Sequence, residues 1–103
     1  MELNKKSSNY RILQGKDFLK DVKKILKSRD KSLISDIQKV IDELKIDPHK
    51  KRPKMDIKLI SSKKESIYRV LLGKYRLVYE IDETNKTIII TMFFIRGKGY
   101  QQL

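Results

Sequence analysis

Two alternating apolar segments, residues 66–72 and 75–81, lie either side of the dipeptide Gly73-Lys74. A two-residue spacer opening on glycine between such runs is the sequence form of a β-hairpin. Its register is strongly specified, because a slip of one residue would turn every core side chain to water. One face of such a hairpin must be covered, and two upstream segments have the right pattern. From Lys16, apolar residues fall at Phe18, Leu19, Val22, Ile25 and Leu26, one face of a helix, with Lys20, Lys23, Lys24 and Lys27 as a solvated basic stripe on the other. After a turn at 28–31, Ser32 is placed to cap a second helix whose core face is Leu33, Ile34, Ile37, Val40, Ile41 and Leu44. Asp47-Pro48 stops it, since the residue before proline is pushed out of helical geometry. The two helices form an αα-hairpin.

Residues 10–13 read as a short strand broken by Gln14-Gly15, and residues 1–9 as a frayed tail. Residues 49–64 read as a basic connector containing Pro53 and a short apolar run at 57–60, with its lysines and Arg52 as solvated surface. Residues 82–86 form a polar turn, and 87–95 a third long strand, apolar on both faces and therefore central. Residues 96–100 are expected to be a flexible basic loop. The pattern predicts an α+β fold, β-α-α-β-β-β, with an antiparallel-rich four-stranded sheet under a two-helix hairpin. A chain of 103 residues suits a single such domain, here residues 10–103.

Composition removes several chemistries. There is no cysteine, hence no disulfide scaffold, thiolate metal site or cysteine nucleophile, and the single His49 excludes two-histidine acid–base catalysis. The eight-residue apolar stretch at 88–95 is far short of a membrane span, and residues 1–8 lack the apolar core of a secretory signal. A soluble cytoplasmic protein without metal, membrane partner or small-molecule cofactor is expected. The formal charge of +12 exceeds what solubility needs and points to a polyanionic partner. Lysine supplies most of it as a diffuse point charge. Arginine, with its planar fork, is the residue suited to holding a phosphate.

Alternation places Arg69 and Arg76 on the hairpin face opposite the apolar set Tyr68, Val70, Leu72, Leu77, Tyr79 and Ile81. Arg96 follows the adjacent central strand. Three arginines can thus converge on one open groove. The alternative is a pair of surface arginines satisfied by carboxylates, of which Glu80 alone shares that face within the hairpin.

Residues 68–82, YRVLLGKYRLVYEID, resemble the core signature of the RelE/ParE toxin superfamily, and the derived topology and length agree with it. The ending FIRGKGY, residues 94–100, is similar to the basic terminal loop of archaeal RelE proteins. The resemblance runs from about Tyr10 to Tyr100. It implies a type II toxin–antitoxin toxin that cuts mRNA in the ribosomal A site, partnered by a cognate antitoxin. Carried over by position, Arg69, Arg76, Arg96, Lys98 and Tyr100 form the catalytic set, with Lys58 and Lys74 as RNA-binding cations. Leu71 departs from the pattern, standing where the family usually has a second basic residue.

The implied chemistry suits such a set. Attack of a ribose 2′-hydroxyl on the adjacent phosphate builds charge that fixed guanidinium groups stabilise. Arginine stays protonated and is a poor base. A lysine could serve if neighbouring cations lowered its pKa, and Lys98 and Lys74 both have a suitable position. Tyr100 has two readings, stacking on a base or phosphate contact in the site, and anchoring of the terminus to the sheet. Two further functions stand beside the nuclease: a ParE-like inhibitor of DNA gyrase, and an RNA-binding module that no longer cleaves.

Overall fold

The computed structural model describes residues 9–27, 31–61 and 66–95. Seven elements follow in the order β1 (Arg11–Gln14), α1 (Lys16–Lys27), α2 (Lys31–Ile46), β2 (Ile57–Ser61), β3 (Ser66–Leu72), β4 (Tyr75–Asp82) and β5 (Thr87–Ile95). The sheet has five strands in the order β1-β5-β4-β3-β2. Only β1 and β5 run parallel; the other neighbours are antiparallel. The α+β class and the central place of β5 agree with the sequence pattern.

Two expectations are corrected. The sheet has five strands and not four, because residues 57–61 leave the connector and pair with β3, Ile57 opposite Val70 and Lys58 opposite Arg69. Ile57 is buried while Lys58 and Leu59 are exposed, so this edge strand shows too little alternation to be read from sequence. Ser32 is not an N-cap: α2 already begins at Lys31, one residue upstream. The turn that precedes it, residues 28–30, lies outside the described residues, as does the tail 1–8.

The core forms between the helices and one face of the sheet. Phe18 of α1 meets Phe93 edge-to-face at 6.4 Å, and Leu44 of α2 is fully buried with Val70, Leu77, Ile88 and Ile90. Burying side chains of this size contributes about 1.5–3 kcal/mol each. At the start of α1, Gly15 donates its N–H to the Ile90 carbonyl at 2.8 Å, and a Cβ there would lie 3.0 Å from that oxygen. Where β1 ends, α1 takes over its pairing role: Asp21 accepts the Phe93 N–H at 3.1 Å.

The C-terminus of α2 is capped from two directions. Asn9 and Tyr10 both donate their N–H groups to the Lys45 carbonyl, so Asn9 is tied to the domain. Arg52 reaches back to the carbonyls of Glu43, Asp47 and Lys50 at 3.0, 3.1 and 2.6 Å and pairs with the Glu43 carboxylate. The reading of Arg52 as solvated surface is therefore also corrected. It adds a second donor to the Glu43 carbonyl, which already accepts from the Asp47 N–H, and pins the two carbonyls of the segment that follows the helix.

Candidate functional site

The face of the sheet opposite the helices carries the cations. Gly73 makes this possible locally, taking φ = 57° at the first position of the two-residue turn, where L side chains are strained. With the turn fixed, Leu72 pairs with Tyr75, Leu71 with Arg76 and Arg69 with Val78. Val70, Leu72, Leu77 and Tyr79 face the core, so Arg69 and Arg76 face outward, as alternation predicts. They are diagonal neighbours across the strand pair, with backbones roughly 7–8 Å apart. On the far side of Arg69, Lys58 stands directly opposite it in register. Lys58, Arg69 and Arg76 are thus brought onto one face.

Arg69 is not free. Its Nη1 donates to the Asp56 carbonyl at 2.7 Å and lies 3.4 Å from the Asp56 carboxylate, whose oxygen also stands 3.6 Å from Lys51. With its side chain only 15% exposed, the guanidinium is held in one orientation. Asp56 precedes β2 and could not be placed beside Arg69 without that strand. Arg76 is half-buried between Leu71 and Phe94, its cross-strand partners, and donates to the Tyr75 carbonyl at 3.3 Å.

The same face is less polar than a groove of arginines implies. Its rows run Met92–Val78–Arg69–Lys58 and Phe94–Arg76–Leu71, with Leu13, Ile89, Glu80 and Ile67 in the next row. Val78 is fully buried although it faces away from the helices. On β5 the alternation reverses at a bulge: Val78 opposes Met92 and Tyr79 opposes Ile90, leaving Thr91 as the extra residue. Its hydroxyl donates to the Val78 carbonyl at 3.2 Å. β5 is apolar on both faces, with Ile88, Ile90 and Phe93 toward the core and Ile89, Met92 and Phe94 outward.

Lys74 is directed elsewhere. Its ammonium sits 5.6 Å from the centre of the Tyr75 ring, which stacks on Phe93 on the helix side. Lys74 therefore borders an open groove of about 1220 Å³ between α2, the segment 51–56 and the hairpin turn. Arg96, Lys98 and Tyr100 lie outside the described residues.

A second polar cluster, not anticipated from the sequence, closes the opposite end of the sheet. Glu83 accepts from Tyr10 at 3.0 Å and Lys86 at 3.2 Å, and its other oxygen lies 2.6 Å from His49 Nε2. Burial acts to raise the Glu83 carboxyl, but the hydrogen bonds from Tyr10 and Lys86 and the nearby His49 outweigh it and hold the group below its ordinary range. His49 also packs edge-on against Tyr10 and Tyr68. Tyr68 stacks on Tyr79, whose hydroxyl donates to the Pro48 carbonyl at 2.7 Å. Both imidazole nitrogens face carboxylates, Nδ1 standing 3.8 Å from Asp47, so the histidine joins three segments and offers no free base. Among the described residues no cluster of three or more potential metal ligands is present.

The arrangement, a five-stranded sheet with a cationic outer face under an αα-hairpin, has relatives. The archaeal RelE in its complex with RelB from Pyrococcus horikoshii OT3 superposes with a TM-score of 0.72 at 27% identity, covering 88% of this chain and 99% of that one. A metal-bound toxin from Helicobacter pylori has the same fold, with a TM-score of 0.71 at 21% identity over 87% of this chain and 98% of that one. No curated protein matches the chain. Residues 12–93, from β1 through Phe93, match the family described as ParE toxin of the type II toxin-antitoxin system parDE. The chain belongs to that family and is a type II toxin of the RelE/ParE superfamily.

Proposed function

We propose that the chain is a ribosome-dependent endoribonuclease that cleaves mRNA in the A site and is held in check by a cognate antitoxin. The observation that carries this reading is the alignment of Lys58, Arg69 and Arg76 on one outward face, with Arg69 fixed by Asp56. Fixed guanidinium donors suit a reaction whose developing charge sits on phosphoryl oxygens. The likeness to an archaeal RelE supports the same reading, and its partner RelB supports an antitoxin here. In this reading Arg96, Lys98 and Tyr100 complete the catalytic set. Lys74, on the helix side of the hairpin, serves RNA outside the cleavage centre.

A second reading, inhibition of DNA gyrase, draws support from the family match, whose description is that of ParE. The apolar residues between the arginines also suit a protein surface better than a single RNA strand. Induced expression separates the two. In-frame mRNA 5′ ends within translated codons support the nuclease. Intact mRNA with double-strand DNA breaks and lost supercoiling supports gyrase inhibition. Growth inhibition with neither leaves the non-cleaving RNA-binding module.

A further inference from the structure

Helix α1 carries lysines at 16, 20, 23, 24 and 27, all exposed. At 3.6 residues per turn these positions fall within an arc of about 100° and run for about 16 Å along the helix. Of the two acidic residues of α1, Asp17 flanks the ridge in the first turn, with no ion pair to these lysines among the described residues, and Asp21 accepts the Phe93 N–H. None of the five lysine side chains has an ion pair or hydrogen bond among the described residues. The opposite side of α1, through Phe18, packs on the sheet. The ridge therefore points away from the molecule, with α1 and the sheet between it and Arg69 and Arg76. A strand seated at the arginines cannot also lie on the ridge.

We propose that this ridge is a second nucleic-acid surface that docks on the phosphate backbone of double-helical RNA. The proposal rests on the ribosome reading above for its choice of RNA. Its physical basis is separate. Binding of a single strand combines a basic groove with aromatic platforms for the bases. The ridge is convex, and the one aromatic residue of α1, Phe18, is buried. An amphipathic protein segment would need an apolar strip beside the charges. Leu19 is the only exposed large apolar side chain described on α1. A straight row of lysines with no hydrogen-bonding fork instead matches the dense, regular charge of a duplex, read without regard to sequence.

The test is the salt dependence of binding to a 20-base-pair RNA duplex by the full-length protein, followed by fluorescence anisotropy. It needs neither ribosome nor cleavage, so its failure is distinguishable from failure of the nuclease reading. The ridge variant is K20Q/K23Q/K24Q/K27Q. A charge-matched control, K39Q/K45Q/K50Q/K54Q, removes four lysines elsewhere and leaves the Lys51–Asp56 pair beside Arg69 intact. Circular dichroism verifies that both fold, glutamine being as good a helix former as lysine. The ridge variant is expected to flatten the slope of log affinity against log salt by roughly one per contacting lysine, and to lower affinity more than tenfold at 0.1 M salt. The control is expected to change the slope by less than one. Equal losses in both variants would mean diffuse attraction by net charge and would overturn the proposal. So would a larger ridge-dependent loss for an acidic peptide or an RNA single strand than for the duplex, or binding confined to a DNA duplex of the same length.

Discussion

Asp56 holds Arg69 through two different oxygens, its backbone carbonyl at 2.7 Å and its carboxylate at 3.4 Å. The backbone oxygen fixes where the guanidinium sits, and the carboxylate adds charge. One nitrogen, Nη1, carries both contacts, and among the described residues the rest of the fork has no partner. Arg69 is therefore oriented before any substrate arrives, the condition under which a cation stabilises developing charge without reorganising.

Asp56→Asn should separate these effects. The backbone acceptor remains and the pair is partly exposed, so stability is expected to fall by less than about 1 kcal/mol. Loss of the carboxylate loosens the Arg69 fork and also releases Lys51. Growth inhibition and mRNA cleavage should weaken several-fold while the melting temperature stays within a few degrees. Unchanged toxicity would assign Asp56 to the fold alone.

Tyr79 is fully buried and donates to the Pro48 carbonyl. Tyr79→Phe leaves that carbonyl without its donor and is expected to cost about 1–3 kcal/mol. Tyr79→Ala adds a cavity, for about 3–5 kcal/mol. Burial, with Tyr68 beside it, pushes the phenol far above its ordinary value. A raised value favours the neutral group in the folded state, so this stability is complete below about pH 10 and is lost as the pH rises past it. Chemical denaturation from pH 8 to 11 should show a falling limb that Tyr79→Phe flattens. An equally steep limb in the variant would place the alkaline transition elsewhere.

The acid limb has the opposite sign. Asp47 and Glu83 are lowered despite burial, Asp47 by the N–H groups of His49 and Lys50, Glu83 by Tyr10 and Lys86. Depressed carboxyls contribute stability that is present above their ordinary values near pH 4 and is lost as the pH falls through the lowered ones. Both tie the segment after α2 to its surroundings. Denaturation midpoints between pH 6 and 3 should fall, and the double variant Asp47→Asn/Glu83→Gln should fall less steeply. A parallel decline would show that other carboxylates govern acid unfolding.

The legible parts of this chain are those where period and punctuation agree. Gly73-Lys74 gave the hairpin and its register, and the spacing from Phe18 to Leu44 gave both helices. That register was enough to put Arg69 and Arg76 on the outer face. Strand β2 was hidden because only Ile57 of its residues is buried and a bulge interrupts its pairing after Leu59. With β2 went the identity of the Arg69 partner, since Asp56 lies 13 residues away in the chain. The Glu83 cluster was invisible for the same reason: Tyr10 meets Glu83 across 73 residues, and no local pattern encodes such a meeting. An arginine that reaches a helix-end carbonyl nine residues away leaves no periodic trace, so Arg52 looks in the sequence like any other cation of the connector.

Leu71 offers the sharpest test of the nuclease reading. It stands directly opposite Arg76 on the outward face, where the resemblance to RelE-like toxins calls for a second cation. Leu71→Arg should place a guanidinium beside Arg76, next to the row that holds Arg69 and Lys58. Like charges directly opposite each other are destabilising, so a loss of about 0.2–1 kcal/mol is expected. The gain is one more donor for phosphoryl oxygens. If the face binds mRNA, cleavage by the variant should rise, and the salt slope of ribosome binding should steepen by roughly one. If the face instead contacts a protein such as gyrase, a charge replacing a half-buried leucine should weaken inhibition. The two readings predict opposite signs for one substitution, measured as growth inhibition alongside mRNA 5′-end mapping.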